Sequence, residues 1–542
     1  MTTSPRLRSP FSPLLPAAML GLLALGACNA IFGIEAGLPG GVTGTETGPG
    51  GAGGGSSSSA GISCSSPSKA EFTPRKLVGA LSPGSDSAGA VVYDAKDDLI
   101  VAGLFTGTSI DLGKALARVS ATEVDNGFVV KYDSSGAYLW GQAFGGTRAL
   151  RLNAAGVDDA GNIYLTGAVA GQANIGGTML DIASATSADE PDALVVALTP
   201  LGAVRWVKSF GNGLTQRGHR IAVDADGNSY IAGVSQDKVD FGDGTLIGDA
   251  GSGWWSFFLK LDSTGKLVWA QPFGSWVPNL ASDTTEYFEI AVALDGKEHV
   301  IVGSTFNAPI FFGAASETPV GDADAFVASL DATDGETLWH RTFHQAKGGP
   351  APDGNQWITS LTVDPCSGDI YAAGGFTQGI DFESRGSAKA IGDADAPDIF
   401  VARLAASDGA PMWFKAYGDY GRQDVTAVKV APDGAVLLNG FLLSSPNEKG
   451  VDFGAPGGPF APLEASAPDY ADAFLLKLDS SGGYLWGLRS GDQYPQAAFD
   501  VAVDSTGKIA SCGIATGTFA LGGTAPSVTF SGFHGFVARF DP

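Results

Sequence analysis

The stretch AVDADGNSYIAG, Ala222 to Gly233, opens like a calcium loop, with Asp224, Asp226 and Gly227 in quick succession. Its other copies decide how it is read. VDDAGNIYLTG ends at Gly167, VDPCSGDIYAAG at Gly374 and VDSTGKIASCG at Gly513, with looser copies ending at Gly103, Gly303 and Gly440. The seven terminal glycines stand 64 to 73 residues apart. A sustained period of this length means a repeat architecture. Would-be ligand positions vary freely between copies, as in Lys96 and Asp97, Cys366 and Ser367, or Ala431 and Pro432. A calcium site needs six or more oxygen ligands, whereas Asp, Asn, Ser and Gly are what a tight turn requires. The segment is therefore expected to turn a hairpin and to hold no metal.

A second element keeps step with the first. DNGFVVKYDSSGAYLWGQAFGG, Asp125 to Gly146, recurs in six copies, the last being DAFLLKLDSSGGYLWGLRSGD. Each half-repeat is two short apolar runs around an Asp/Ser/Gly turn, the sequence form of a β-hairpin. One repeat is thus four antiparallel strands, A to D, and radial repetition of such sheets makes a β-propeller. The seventh repeat stops after strand C, GFVARFDP, at Pro542, while PRKLVGALSPG, Pro74 to Gly84, reads as a strand D without a strand C before it. Pairing these two ends closes a ring and removes an open sheet edge. The fold class expected is all-β: a seven-bladed β-propeller of four-stranded antiparallel blades, closed by the N-terminal strand.

Six tryptophans share one repeat position at the start of strand D: Trp140, Trp206, Trp269, Trp339, Trp413 and Trp486; Leu77 takes the seventh. With DATDGETLW, Asp331 to Trp339, this pattern resembles the tryptophan-docking motif of quinoprotein propellers, which implies that these side chains dock neighbouring blades. The quinone chemistry does not carry over, because no two cysteines are adjacent; no cofactor is expected. The D-x-x-G-N-x-Y-x-T-G unit at Asp158 to Gly167 resembles the seven-bladed propeller repeat (SBBP type) of bacterial envelope proteins. That resemblance implies architecture and supplies no catalytic residues.

Residues 1–27 form a processing segment, with Arg6 and Arg8 ahead of an apolar run. Leu25-Gly26-Ala27-Cys28 resembles the lipobox of bacterial lipoproteins, which implies cleavage before Cys28 and acylation of its sulfur and amine. Asn29 in place of Asp implies the outer membrane, facing the periplasm or the exterior. Residues 28–71 form a lipidated tether whose Gly/Ser-rich stretch, Gly37 to Gly61, has a reach of roughly 30 Å; residues 72–542 form the propeller. Without the leader, 30 basic side chains face 57 acidic ones, a net charge of −27. The absence of a basic stripe excludes nucleic-acid binding. Of the cysteines beyond Cys28, Cys512 aligns with a buried strand position, and the pairing of Cys64 and Cys366 stays open.

The A–B and C–D connections are tight turns, so the B–C and D–A connections, long and variable, share the opposite face. Binding loops occupy such a face. Candidate ligand-binding residues there are Arg217, His219, Trp276, Trp357, Tyr420, Arg422 and Tyr494, a set of aromatics and charges suited to a peptide or glycan. No G-x-S-x-G or H-E-x-x-H occurs, and the five histidines are dispersed. A monomeric, non-enzymatic scaffold for an envelope protein, peptide or glycan is expected. The alternative is a lyase or hydrolase with a site assembled from several loops.

Overall fold

In the computed structural model the described residues are 73–79, 85–112, 116–119, 124–182, 190–248, 253–276, 290–296, 298–345, 354–391, 396–419, 421–443, 451–453, 470–520 and 527–541. The leader, the tether, Cys28, Cys64 and Tyr420 lie outside them. Seven four-stranded antiparallel blades account for the repeats, the seventh completed by the N-terminal strand. Strands A of blades 1 to 7 are Asp86–Tyr93, Leu150–Val157, Gln216–Val223, Ile290–Leu294, Gln356–Val363, Gln423–Val430 and Gln496–Val503. Each touches strand A of the next blade, and the last touches the first, so the ring is closed.

Strand D of blade 7 is Thr73–Gly79, paired antiparallel with Ser527–Asp541 so that Thr73 faces Asp541 and Gly79 faces Phe536. Polar contacts fasten the seam between blades 7 and 1. Gly535 N and His534 Nδ1 meet the two oxygens of buried Asp86 at 2.7 and 2.9 Å. Ser505 donates its N–H and hydroxyl to Asp97 at 2.9 and 2.8 Å, and Arg539 donates to Ser134 O at 2.7 Å.

The A–B turn quoted first is an Asx turn. Asp224 Oδ1 accepts from the N–H groups of Asp226 and Asn228 at 3.1 and 2.8 Å, and Oδ2 from Asn228 Nδ2 and Tyr230 OH. Gly227 sits at φ +82°, in the left-handed region that glycine enters at no steric cost. The carboxylate's lone pairs are spent on the turn itself.

The periodic glycine at the end of each repeat unit has a different cause. In six blades the A–B ladder slips by one residue at the same place, passing over Gly89, Asn153, His219, Thr359, Thr426 and Phe499. Such a β-bulge leaves its extra residue out of the ladder and bends the strand. Just before the bulge a strand A carbonyl presses on strand B: Ser87 O on Gly103, Arg151 O on Gly167, Arg217 O on Gly233, Trp357 O on Gly374, Asp424 O on Gly440 and Ala497 O on Gly513. A Cβ at any of these glycines would overlap that oxygen.

Bulge side chains reach the next blade. Asn153 Nδ2 donates to Gly218 O at 2.9 Å, Thr359 Oγ1 to Val425 O at 2.7 Å and Thr426 Oγ1 to Ala498 O at 2.9 Å. The apolar core lies between blades; one cluster joins Ile100 and Val129 of blade 1 to Leu152, Leu165 and Val196 of blade 2. Cys512 is buried there as a free thiol, and burial raises its pKa well above the ordinary value. Cys366, in the A–B turn of blade 5, is disulfide-bonded.

Candidate functional site

The docking tryptophans come first, because they fix what the rest of the ring can do. Trp140, Trp206, Trp269 and Trp413 donate their indole N–H to Pro200 O, Ser263 O, Ala332 O and Ser480 O at 3.0–3.1 Å, each in the C–D turn of the following blade. The rings of Trp140, Trp206, Trp269, Trp339 and Trp413 lie against that blade's turn glycine: Gly202, Gly265, Gly335, Gly409 and Gly482. Trp486 packs partly buried against the blade 6–7 cluster. These contacts join blades and leave the tight-turn face trimmed.

On the opposite face, sequence reasoning saw variable loops where the structure places hairpins. The B–C connections of blades 1 to 5 carry short antiparallel pairs: Ser109–Asp111 with Leu116–Arg118, Gly171–Ile175 with Thr178–Ile182, Val239–Asp240 with Leu246–Ile247, Ile310–Phe312 with Ala315–Glu317, and Gly379–Asp381 with Ser387–Lys389. The blade 2 hairpin adds to blade 1, with Ala173 opposite Gly146, making that sheet six-stranded. Five large apolar side chains on the connections of blades 2 to 5 are 48–66% exposed: Met179, Leu246, Phe311, Val320 and Ile391. Each of these four successive B–C connections thus exposes at least one large apolar side chain, though at different places along it.

The seven candidate residues divide unevenly. Arg422 and Tyr494 are exposed, Arg422 Nε donating to Asp424 Oδ2 at 2.5 Å and the Tyr494 ring lying on Gly517. Arg217 is half-buried at the loop-face end of strand A in blade 3. Trp276 ends strand D of blade 3 opposite Trp254; its side chain, like Tyr420, lies outside the described residues. Two residues expected at the channel mouth are core. Trp357 is 9% exposed, its indole laid over Gly375, the residue paired with it on strand B. His219 is the buried bulge residue of blade 3; burial, with Arg217 and Arg220 alongside, pushes its imidazole well below the ordinary range and keeps it neutral.

The other histidines sit on separate carboxylates: His299 on Asp295, His340 on Glu317, His344 on Asp324 and His534 on Asp86. His344 has the contacts of a relay, with Nδ1 2.5 Å from Asp324 Oδ2 and Nε2 2.9 Å from Thr342 Oγ1. The Asp324 hydrogen bond raises its pKa. Asp324, however, opens strand C of blade 4, as Asp125 and Asp398 open theirs in blades 1 and 5, and Asp472 stands second in that of blade 6. Those carboxylates accept from Arg151, the Ile391 N–H and Arg489. The position is a recurring tie across the blade end, which His344 fills in blade 4. Among the described residues no group of three or more His, Cys, Asp or Glu is placed to hold a metal ion.

The inner strands line a central cavity of about 60 Å³, with residues from all seven blades and with Arg220, Lys429 and Asp500 as its charged groups.

No protein-family model matches the chain. Over 157 residues it is 26% identical to an uncharacterised WD repeat-containing protein of Acanthamoeba polyphaga mimivirus, covering 26% of this chain and 11% of that protein's length. Among solved structures, BamB of Moraxella catarrhalis is similar at 13% identity over 87% of this chain and 100% of its own, with a TM-score of 0.36. Quinohemoprotein alcohol dehydrogenase of Comamonas testosteroni is similar at 10% identity over 86% and 76%, with a TM-score of 0.38. Identities this low assign neither a ligand nor a reaction.

Proposed function

We propose that this chain is a bacterial outer-membrane lipoprotein, anchored through Cys28, whose propeller is a non-enzymatic scaffold that binds an envelope protein or peptide on its loop face. The observation carrying this reading is the set of exposed apolar side chains on the B–C connections of blades 2 to 5. Exposed large apolar groups that recur on one face mark interaction surfaces, and aromatic or aliphatic anchors with a polar rim are what a protein partner buries. Chain direction supports it. Thr73, opposite Asp541, lies at the tight-turn end of strand D, so the chain enters the ring on the face opposite the hairpins. Arg422 and Tyr494 supply polar and aromatic contacts at the inner rim of the same face.

The test screens the protein against extracted envelope proteins, with envelope glycans and peptidoglycan fragments in parallel. The best ligand is then titrated against the triple variant Met179→Ser, Leu246→Ser, Phe311→Ser. A loss of tenfold or more in affinity is expected, while Cys28→Ser moves the protein from membrane to soluble fraction with binding intact. A ligand whose affinity survives the triple variant would refute the loop-face reading, and turnover of a substrate would replace it with the hydrolase or lyase alternative.

A further inference from the structure

The central cavity is the place where the charge of this protein reverses. The chain carries a net charge of −25, yet the cavity holds two cations and one carboxylate. At the residue following the bulge, or at its cavity-lining counterpart Ala291 in unbulged blade 4, five blades place a small side chain: Ala90, Ala154, Ala291, Ser360 and Ala427. The other two blades place Arg220 and Asp500. Small residues hold the space open, and the exceptions furnish it.

Asp500 is engaged by the backbone. Its Oδ2 accepts from Val91 N of blade 1 at 3.0 Å and its Oδ1 from Val501 N at 2.9 Å. Ser360 plays the same part between blades 5 and 6, accepting from Val428 N at 3.1 Å. The Asp500 carboxylate thus belongs to the inter-blade stitching and lies beyond ion-pair distance of Arg220 and Lys429. Arg220 has five N–H donors and uses them on two long contacts of 3.4 Å, to His219 O and, across the channel, to Thr426 O of blade 6. Among the described residues it meets no carboxylate within 4 Å, and the Lys429 ammonium, on the blade 6 wall, makes neither a direct ion pair nor a hydrogen bond, though both cations act on Asp500 through space. Burial disfavours the Arg220 charge, with Asp500 offsetting part of the cost. One carboxylate against two cations leaves the cavity with a net positive charge, which an anion would complete.

We propose that the central cavity is a binding site for a small oxyanion, held by the Arg220 fork from blade 3 and the Lys429 ammonium from blade 6. A guanidinium matches the paired oxygens of a carboxylate or phosphate, and an ammonium adds a point charge. The cavity's size suits an ion or small acid and excludes a polymer. The site lies inside the ring, below the hairpins, so it stands or falls independently of the loop-face proposal.

The experiment is a titration of the full-length chain with inorganic phosphate and, separately, acetate, in chloride of matched ionic strength. Binding is read by calorimetry and thermal midpoint. Saturable binding in at least one arm is expected, and the tighter arm identifies the class of anion. Arg220→Gln and Lys429→Gln should each weaken it by tenfold or more, Asp500→Asn should strengthen it, and the exposed-turn variant Lys266→Gln should leave it unchanged. Should Arg220→Gln fail to fold, Lys429→Gln and Asp500→Asn decide. No saturable binding of either anion up to tens of millimolar, or affinity within twofold of wild type in both cation variants, would overturn the proposal.

Discussion

Replacing Trp269 with alanine isolates what one docking tryptophan contributes to the ring. The side chain is 7% exposed, lies on Gly335 of the next blade, sits 6.2 Å from the Tyr230 ring and donates to Ala332 O at 3.1 Å. Truncating a buried tryptophan costs about 3–5 kcal/mol through lost transfer energy and the cavity left behind. The hydrogen bond adds little to that total, because Ala332 O also accepts from Lys260 Nζ at 2.8 Å and is not orphaned. Trp269→Ala should therefore cost about 3–4 kcal/mol, and Trp269→Phe, which keeps most of the buried area, about 1–2 kcal/mol. An unfolding entropy near 2 cal/mol/K per residue makes each kcal/mol worth about 1 °C in a ring of this size. Circular dichroism melts should show drops of about 3–4 °C for alanine and about half that for phenylalanine. An alanine variant melting within 1 °C of wild type, or a phenylalanine variant as damaged as alanine, would refute docking by buried area.

Deleting residues 73–83 should leave strand C of blade 7 with an open edge, giving aggregation or a large fall in thermal midpoint; a truncated ring that melts like the intact one would show that closure does not depend on this strand. Stability should also fall as pH rises from about 4 to about 7. Burial lifts the carboxyls of Asp192 and Asp472 to about 6 and that of Asp398 to about 7, the last despite the Ile391 N–H it accepts. Folded protein then binds more protons than unfolded chain across this window, so the sign is a loss of stability with increasing pH. Asp398→Asn should flatten the profile near neutrality, and an unchanged slope in that variant would contradict the assignment.

The architecture was legible because packing writes itself into single positions. The periodic glycine marks where a strand A carbonyl meets strand B, and the repeated tryptophan marks where one blade covers the next blade's turn. Both leave one permitted residue type, so both survive as a period. The bulge ring was not legible: Gly89, Asn153, His219, Thr359, Thr426 and Phe499 share a backbone role but no side-chain chemistry. Nothing in the sequence therefore separates His219 from a mouth residue. Trp357 does carry a signal. Its blade carries a second glycine, Gly375, where the other repeats place Leu104, Ala168, Val234, Ser304, Phe441 and Ile514, and that glycine makes the room its indole fills. The exposed apolar residues on the B–C connections of blades 2 to 5 lie in segments without a common motif, whereas those that precede the docking tryptophans, Leu139, Val268, Leu338 and Met412, follow the repeat.

Amide hydrogen exchange of the full chain, with and without detergent-extracted envelope proteins, tests the central claim most directly. Loop-face binding predicts slowed exchange in the B–C hairpins around Met179, Leu246 and Phe311, with the A–B and C–D turns unchanged. Protection confined to those turns, around Asp224 and Ser263, would contradict it.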